Sequence, residues 1–168
     1  EAINLKLDPE EERKKTFFEK LFADNPEYIK VAFIHDKTPA ESGWTYGHEL
    51  GRLHVEKVFG NRIHTTAYEH AVNAPEEVIE HAIREGNKII FTTSPKLLNA
   101  SLSIAVKYPD VMILNCSLNK PHRYIRTYYA RMYEAKFIIG AIAGTLAENG
   151  KIGYLCDYPI YGQIAGIN

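Results

Sequence analysis

The chain has 168 residues, of which 45% are hydrophobic and 24% are charged, and its formal net charge is -1. The length suits one domain with a real core but not two full domains, and the composition is that of an ordinary globular protein. A near-neutral chain lacks the basic surface that attracts nucleic acid or an anionic membrane, so we expect a neutral or small partner and no nucleic acid.

Residues 1–27 are predicted to form an N-terminal helical extension or a linker. Asp8 is a favourable N-cap, Pro9 suits the first helical turn, and Glu11 supplies a carboxylate at the third position. Apolar side chains follow on one side of this helix, which ends near Pro26. The chain starts without a methionine or a basic and apolar leader, which we expect from a removed signal or from a fragment.

Short apolar runs alternate with amphipathic helices from residue 30 onward. Residues 31–34 are all apolar and predict a strand that is buried on both faces of a parallel sheet. The polar loop 35–43 follows, and Trp44 opens a predicted helix that reaches Phe59. The apolar stripe of this helix, which we expect to face the sheet, contains Leu50, Leu53 and Val58.

The same alternation continues along the rest of the chain. Residues 63–68 alternate in polarity, which favours an edge strand, whereas the later predicted strands are more apolar. Asn73 and Glu76 make a capping pair around Pro75 and predict the start of the next helix. The remaining predicted strands are 88–93, 111–116, 124–129 and 151–156, and the remaining predicted helices are 97–107, 130–147 and one that starts at 157.

Strands that alternate with helices at this spacing predict an α/β fold with a parallel sheet and right-handed crossovers. We expect a doubly wound, three-layer α/β/α sheet of strand order 2-1-3-4-5, with the sixth strand unassigned. The apolar stretch 137–147 is shorter than the roughly 20 residues that span a bilayer. Gly140 and Gly144, spaced i and i+4, therefore predict a small face for close helix packing on the sheet.

Polar and aromatic side chains follow the carboxyl ends of the predicted strands, where open α/β sheets bind ligands. Asp36 can accept hydrogen bonds from ligand hydroxyls or can act as a loop or capping carboxylate. Trp44 offers a face for stacking a ring, or it is a helix-start residue packed against the sheet. Ser42 is expected to be partly a helix cap. The other candidate ligand contacts on this rim are Thr93, Ser94, Ser117 and Asp157.

Several catalytic and metal-binding classes lack their motifs. The sequence has no dinucleotide glycine motif, phosphate loop, nucleophile elbow or zinc-protease helix motif, and Thr92 stands where a receiver domain would need an aspartate. Four histidines lack ligand spacing, so we expect no metal and no cofactor. Cys116 and Cys156 form no C-x-x-C pair and are predicted to be buried thiols. No base, nucleophile and orienting group can be assembled, so the protein is not predicted to be an enzyme, although one that uses Asp36 or Cys116 stays a lesser alternative.

Five stretches carry a family resemblance. They are KVAFIHDKTPAESGWTYGHELGR, IIFTTSP, YPDVMIL, YYARMYEAKFIIGAIAG and GKIGYLCDYPIYGQIAGIN. By the order and spacing of these five stretches, the chain from about residue 30 to its end resembles the first lobe of the basic membrane protein (BMP) family of substrate-binding lipoproteins. This is the purine-nucleoside-receptor-like branch of the type I periplasmic binding fold.

The resemblance implies a non-catalytic receptor, held outside the cytoplasmic membrane by a lipid or an upstream anchor, that passes a purine base or nucleoside to an ABC permease. It implies that an aromatic ring at Trp44 stacks on the base and that Asp36 and Ser42 contact the ligand. Nucleoside receptors tend to carry an aspartate where Ser117 stands here, which leaves free bases or another ligand open.

The resemblance also divides the chain. Residues 28–150 correspond to the first lobe, and residues 151–168 correspond to the truncated start of a second lobe. Residues 1–27 are not part of the usual family pattern, which motivates an alternative function. In that alternative the domain is a sensory or dimerising ligand-binding module fused to other domains, with a homodimer formed through the surface that faces the second lobe.

Overall fold

Five parallel strands form the centre of the part of the protein that the structure describes. The computed structural model describes residues 28–117 and 122–155, so the predicted N-terminal helix, Cys156 and Asp157 lie outside the described residues. The sheet order is β2-β1-β3-β4-β5, and every neighbouring pair is parallel, which confirms the predicted fold class and strand order. The strands are β1 (Ile29–Ile34), β2 (Ile63–Tyr68), β3 (Ile89–Thr92), β4 (Met112–Cys116) and β5 (Arg126–Tyr128).

Four α-helices lie in the described residues. They are α1 (Gly43–Phe59), α2 (Pro75–Arg84), α3 (Leu98–Lys107) and α4 (Met132–Leu146). Short 3₁₀ turns at Gly60–Arg62, Ala71–Asn73 and Pro95–Leu97 connect strands and helices. None of the described helices is long and apolar enough to cross a membrane.

The sheet has a hydrophobic layer on each face. On one face, β-strand residues such as Ile34, Ile90 and Ile113 pack against α2 and α3, and all three are at most 1% exposed. Burial of each isoleucine side chain contributes about 1.5–3 kcal/mol. On the other face, Phe33 and Phe91 stack with ring centroids 4.9 Å apart. Helices therefore lie on both sides of the sheet, because α1 contacts β2 on this second face.

The prediction for the inward face of α1 is wrong. Leu50, Leu53 and Val58 are 50%, 46% and 61% exposed. The helix instead turns a charged side toward β2, where Arg52 contacts the Thr65 hydroxyl through Nη1 at 2.5 Å. An apolar stripe read from the sequence identifies one side of a helix, but it does not establish which side meets the sheet.

Two predicted helix starts differ in outcome. Ser42 caps α1 as predicted, because its Oγ accepts a hydrogen bond from the backbone N–H of Thr45 at 3.3 Å. The Asn73 cap for α2 is wrong, since Asn73 lies in the preceding 3₁₀ turn and Ala74 occupies the cap position without a side-chain hydrogen bond. Pro75 does occupy the first helical position, as predicted.

The C-terminal part of the described chain departs furthest from the predictions. No residue of α4 is buried, and a Cβ added at Gly140 or Gly144 would meet nothing within 4 Å, so the predicted close packing of these glycines on the sheet is wrong. Residues 151–155 form no strand, which contradicts the described part of the predicted sixth strand. A strand needs a neighbouring strand for its backbone hydrogen bonds, and within residues 28–117 and 122–155 these five residues pair with none.

Candidate functional site

The candidate site lies at the carboxyl-end rim, which we define as the ends of β1, β3, β4 and β5 and the loops that follow them. In a parallel sheet these ends meet along one edge. The rim brings together six of the predicted site residues, namely Asp36, Ser42, Trp44, Thr93, Ser94 and Ser117. Asp157 lies outside the described residues.

Asp36 follows His35, the first residue after β1, and is only 8% exposed. Its Oδ2 lies 3.7 Å from the ammonium group of Lys96, whereas its Oδ1 is buried without a hydrogen-bond partner among the described residues. A buried carboxylate oxygen without a partner loses its hydration and gains nothing in return. The arrangement therefore offers a strong acceptor for an N–H or O–H group of a ligand.

Trp44 is held in place by the loop after β3. Its indole N–H donates a hydrogen bond to the backbone carbonyl oxygen of Thr93 at 2.6 Å. Thr93 is itself fixed to β1, because its N–H and its hydroxyl both donate to the carbonyl oxygen of Ile34, at 2.9 and 3.1 Å. The ring plane of Trp44 is thus anchored to the sheet while part of the side chain remains exposed.

The hydroxyl groups of three predicted contacts already have protein partners. Ser42 caps α1, and the Oγ of Ser94 accepts from the backbone N–H of Lys96 at 3.3 Å. The Thr93 side chain is fully buried between Ile34 and His35. These residues shape the rim. The Thr93 hydroxyl donates within the fold, whereas the hydroxyls of Ser42 and Ser94 each accept one hydrogen bond and keep a proton to donate.

Asn115 joins the ends of β3 and β4. Its side-chain amide donates to the hydroxyl of Thr92 at 2.8 Å and to the carbonyl oxygen of Ser94 at 3.0 Å. The neighbouring Ser117 is 1% exposed, and its Oγ has no hydrogen-bond partner within the described part of the chain. Asp36 Oδ1, Asn115 Oδ1 and Ser117 Oγ are therefore three buried oxygen atoms at the rim without a hydrogen-bond partner among the described residues.

A buried histidine lies beneath the rim. The Thr93 hydroxyl gives its single proton to Ile34, so its 2.9 Å contact with Nδ1 of His35 is one in which the ring N–H donates. Nε2 of His35 faces the Glu49 carboxylate at 3.8 Å. Burial lowers the pKa of His35 below the usual 6.5, and Glu49 opposes this effect. His35 is therefore neutral near pH 7 and holds the Thr93 loop.

Aromatic side chains around Trp44 were missed by the sequence analysis. His48, one turn along α1, lies with its ring centroid 5.1 Å from that of Trp44, and its Nδ1 is 2.9 Å from the Trp44 carbonyl oxygen. Tyr129, the residue after β5, lies 6.0 Å away with an interplanar angle of 32°. The sequence placed Tyr129 inside the predicted strand 124–129, whereas β5 ends at Tyr128, so only the structure makes Tyr129 the residue that follows the strand.

The described part of the rim presents neither a reactive thiol nor a metal cluster. Cys116 is buried, as predicted, and burial raises the pKa of its thiol to about 12, which leaves almost no thiolate at neutral pH. Among residues 28–117 and 122–155, no group of three or more histidine, cysteine or acidic side chains is placed to hold a metal ion. The described side chains fit binding of a small ring by stacking and hydrogen bonds.

Known proteins share sequence similarity with most of this chain. The family model for the Bmp family, described as ABC transporter substrate-binding protein PnrA-like, matches residues 28–167. A relative from Brucella abortus, named Purine-binding protein BAB2_0673, is 33% identical over 84% of this chain and 41% of its own length. A relative from Haloferax volcanii, named Putative ABC transporter glucose-binding protein TsgA13, is 26% identical over 84% of this chain and 36% of its own length.

Two solved structures share the fold. The ABC transporter solute-binding protein from Conexibacter woesei aligns with a TM-score of 0.54 and 16% identity, over 71% of this chain and 41% of its own. The ABC transporter solute-binding protein from Aeropyrum pernix aligns with a TM-score of 0.60 and 20% identity, over 72% of this chain and 34% of its own. The chain therefore spans less than half the length of each of these proteins and of the two relatives above.

Proposed function

This chain belongs to the family of PnrA-like ABC-transporter substrate-binding proteins, and on that premise we propose that it is the binding lobe of an uptake receptor for a purine base or purine nucleoside. One observation carries the proposal. A fixed indole face at Trp44 stands on the same rim as the buried Asp36, whose Oδ1 has no partner among the described residues. The name of the Brucella relative supports the choice of a purine.

In the proposed complex, Trp44 stacks on the face of the base. Stacking of a base on an aromatic side chain is worth about 1–3 kcal/mol and tolerates different bases. Asp36 accepts a hydrogen bond from a base N–H or from ribose hydroxyls, and Ser117 Oγ pairs with a ring nitrogen or a hydroxyl. A hydrogen bond to an ionised group contributes about 1.5–3 kcal/mol, so the carboxylate provides most of the polar recognition.

The other predicted contacts have different roles in this proposal. Ser42, Thr93 and Ser94 are proposed to form the wall of the site. The Thr93 hydroxyl donates within the protein, whereas the hydroxyls of Ser42 and Ser94 only accept there and can each donate to a ligand. Asp157 is proposed to contact the ligand from the start of the second lobe. The proposed function is binding without chemical conversion, which the membership in a substrate-binding family supports.

We place this lobe in a larger receptor. Residues 28–150 form the first lobe and residues 151–168 begin the second, which closes over the ligand. The receptor works outside the cytoplasmic membrane, anchored as a lipoprotein or by an upstream segment, and delivers its ligand to an ABC permease. The exposed apolar side chains of α4 fit this assignment, since Phe137 and Leu146 are 79% and 73% exposed here and would be covered in a two-lobed protein.

The test is titration calorimetry with adenine, adenosine, guanosine and inosine, on this chain and on a two-lobed form. We expect heat of binding with at least one of them and tighter binding by the two-lobed form, because a ligand between two lobes loses more solvent contact. Trp44→Ala should weaken the binding by about tenfold or more. The absence of heat with all four ligands, or unchanged affinity in the variant, would remove the purine assignment.

Glucose belongs in the same titration. The Haloferax relative is named a putative glucose-binding protein, and an aromatic face beside a carboxylate also suits sugar hydroxyls. If glucose gives heat of binding and the four purine ligands give none, the assigned ligand becomes a sugar. The function as a receptor would still stand.

A second candidate function is a sensory or dimerising ligand-binding module. This function requires that a second copy of the chain, in place of a second lobe, covers the exposed apolar side chains of α4. Light scattering on the two-lobed form separates the candidates. A stable dimer that persists in that form supports the module, whereas a monomer supports the uptake receptor.

A further inference from the structure

A cavity lies at the amino ends of β3, β4 and β5, on the edge of the sheet opposite the carboxyl-end rim. Its volume is about 350 Å³, and its lining comes from residues that precede or begin these strands, among them Lys88, Asp110, Arg123 and Arg126. We call this cavity the amino-end pocket. Sites for small molecules measure roughly 300–1,000 Å³, so the pocket has the size of a site for a small metabolite.

The amino-end pocket opens where β4 and β5 separate. β4 begins at Met112, but its pairing with β5 begins only at Leu114, which lies opposite Arg126. The chain before Arg126 therefore departs from β4 and leaves a space beside Met112 and Ile113. This space follows from where the two strands start to pair, and the loops of the rim do not contribute to it.

The amino-end pocket carries an excess of positive charge. Lys88, Arg123 and Arg126 are cations, and Asp110 is the one carboxylate among the described residues that line it, although the whole chain has a formal net charge of -1. None of the three cations forms an ion pair with another residue of the described part of the chain. Such a concentration of one sign of charge in a cleft attracts a ligand of the opposite sign.

The floor of the pocket is apolar. Ile113 and Ile125 are 1% and 3% exposed, and Met112 is half-buried beside them. Tyr124 lies at the side of the pocket, and the guanidinium carbon of Arg123 is 5.6 Å from the centroid of its ring, a cation–π contact that keeps this cation next to the pocket. An apolar floor beside cationic side chains suits a molecule that has both an organic part and an anionic group.

We propose that the amino-end pocket binds a phosphate monoester, with the phosphate group held by Lys88, Arg123 and Arg126. Near pH 7 a phosphate monoester carries a charge of about -1.5 to -2. Three cations and one carboxylate leave an excess of two positive charges, which matches this group better than a singly charged carboxylate. Guanidinium groups bind phosphate oxygens through two parallel hydrogen bonds, and the lysine adds a point charge. Asp110 accepts hydrogen bonds from hydroxyl groups of the organic part.

The first test is titration calorimetry of this chain with glycerol 3-phosphate, a compact phosphate monoester, at low salt. We expect heat of binding, and we expect the affinity to fall as sodium chloride is added, because salt screens the attraction between the phosphate and the cations. Glycerol, which lacks the phosphate, should give no heat.

Variants of the arginines locate the binding in the pocket. Arg126→Ala should weaken the binding of glycerol 3-phosphate by about tenfold, and the combined variant of Arg123→Ala and Arg126→Ala should weaken it further. Arg126→Lys keeps the charge and loses the paired hydrogen bonds, so its affinity should lie between those of Arg126→Ala and the unsubstituted protein. Both arginines are exposed, so the fold should be kept, which circular dichroism checks.

The matched control is Arg131→Ala. Arg131 is an exposed arginine in the same segment, but it follows the carboxyl end of β5 and does not line the pocket. Its removal lowers the net charge by the same amount as Arg126→Ala, and it should leave the affinity for glycerol 3-phosphate unchanged. An equal loss in Arg131→Ala and Arg126→Ala would show that only the overall charge matters and would overturn the pocket as the site.

A phosphate monoester also occurs as a lipid headgroup, so vesicles form a second arm of the experiment. Vesicles of phosphatidylcholine with phosphatidic acid present the same group on a membrane, and vesicles of phosphatidylcholine alone are their control. Heat with glycerol 3-phosphate supports a free phosphate ester as the ligand. Sedimentation with the phosphatidic acid vesicles alone, without that heat and lost in the combined variant, supports the headgroup.

Absence of binding in both arms overturns the inference. This result would leave the proposed function untouched, because the amino-end pocket lies at the opposite edge of the sheet from Trp44 and Asp36. Conversely, absence of purine binding at the rim would leave the phosphate monoester site standing.

Discussion

Trp44 and Thr93 lie 49 positions apart in sequence and are joined by a hydrogen bond from the indole N–H to the backbone carbonyl oxygen, at 2.6 Å. The bond connects the first turn of α1 to the loop after β3. It fixes the orientation of the ring independently of any ligand. Its loss can therefore be separated from the loss of the aromatic face.

Replacement of Trp44 by phenylalanine separates these two contributions. Trp44→Phe keeps an aromatic face and removes the N–H donor, so we expect adenine affinity to fall by a few-fold, less than in Trp44→Ala. The free energy of unfolding should fall by about 1 kcal/mol from the lost hydrogen bond. Calorimetry and urea unfolding measure the two effects. Equal affinity loss in the phenylalanine and alanine variants would contradict a role for the ring face.

Replacement of Asp36 by asparagine should have opposite effects on binding and stability. Asp36→Asn removes a buried charge whose Oδ1 has no described partner, so the unliganded protein should gain about 1 kcal/mol of stability. The same change weakens the acceptor, and ligand affinity should fall by about tenfold. Thermal unfolding and calorimetry provide the two measurements.

The control for Asp36 is Lys96→Ala. Lys96 lies 3.7 Å from Asp36 Oδ2, so its removal leaves the buried carboxylate without its cation and should destabilise the unliganded protein, in contrast to Asp36→Asn. A loss of both stability and affinity in Asp36→Asn would show that the carboxylate is a structural group instead of a ligand contact.

The charged side of α1 should contribute measurably to stability. Arg52 contacts Glu49 at 2.5 Å, Glu56 at 3.3 Å and the Thr65 hydroxyl at 2.5 Å, while its side chain is only 14% exposed. Arg52→Ala leaves two partly buried carboxylates without their cation, and we expect a loss of about 2 kcal/mol in urea unfolding. The exposed Lys57→Ala, on the same helix, should cost less than about 0.5 kcal/mol.

A double-mutant cycle tests whether Arg52 acts through the edge strand. Thr65 belongs to β2, and its hydroxyl also contacts the Glu56 carboxylate at 2.5 Å. The combined variant of Arg52→Ala and Thr65→Val should be about 1 kcal/mol less destabilised than the sum of the single variants. Strict additivity would mean that the contact with β2 contributes nothing.

Stability should decrease below the ordinary pKa of histidine. Burial lowers the pKa of His35 and of His48 from 6.5, so both stay neutral in the folded protein at pH values where the unfolded chain takes up protons. The stability that these neutral histidines contribute is fully present above pH 6.5 and is lost as the pH falls below that value. Each histidine changes the free energy of unfolding by at most about 1.4 kcal/mol per pH unit.

The measurement is urea unfolding at several pH values between about 5.5 and 7.5. This window lies above the ordinary 4.5 of Glu49, and Arg52 lowers the pKa of that carboxylate further, so Glu49 stays ionised throughout it. In His35→Asn the pH dependence should be smaller than in the unsubstituted protein. His54→Asn, an exposed position on α1, is the matched substitution. An identical pH dependence in His35→Asn would contradict a neutral buried His35.

The fold could be predicted from the sequence because its signals are local and repeated. Apolar runs such as 31–34 identify buried strands, and their alternation with helices determines a parallel sheet. The orientation of α1 was not predictable in the same way. Leu50 and Leu53 form a stripe that is exposed, while the inward Arg52 depends on partners on β2 that are distant in sequence.

The site was predictable where chemistry follows a strand end directly. Asp36 and Ser117 were found by that criterion, and both proved to be buried with unpartnered oxygen atoms among the described residues. Tyr129 was missed because the predicted strand 124–129 included it, whereas β5 ends at Tyr128. Its position opposite Trp44 follows from the strand order and not from any local pattern.

The central position of β1 determines when this domain can form during synthesis. β1 is the first strand of the sheet in sequence, yet it lies between β2 and β3, with Ile34 opposite both Tyr68 and Thr92. Until β3 has left the ribosome, one edge of this apolar strand has no neighbour. Closing long loops costs conformational entropy before strand pairing compensates for it, and this cost slows folding. An unpaired apolar strand edge also tends to pair with other chains. We therefore expect the nascent chain to depend on chaperones until the loop after β3 emerges.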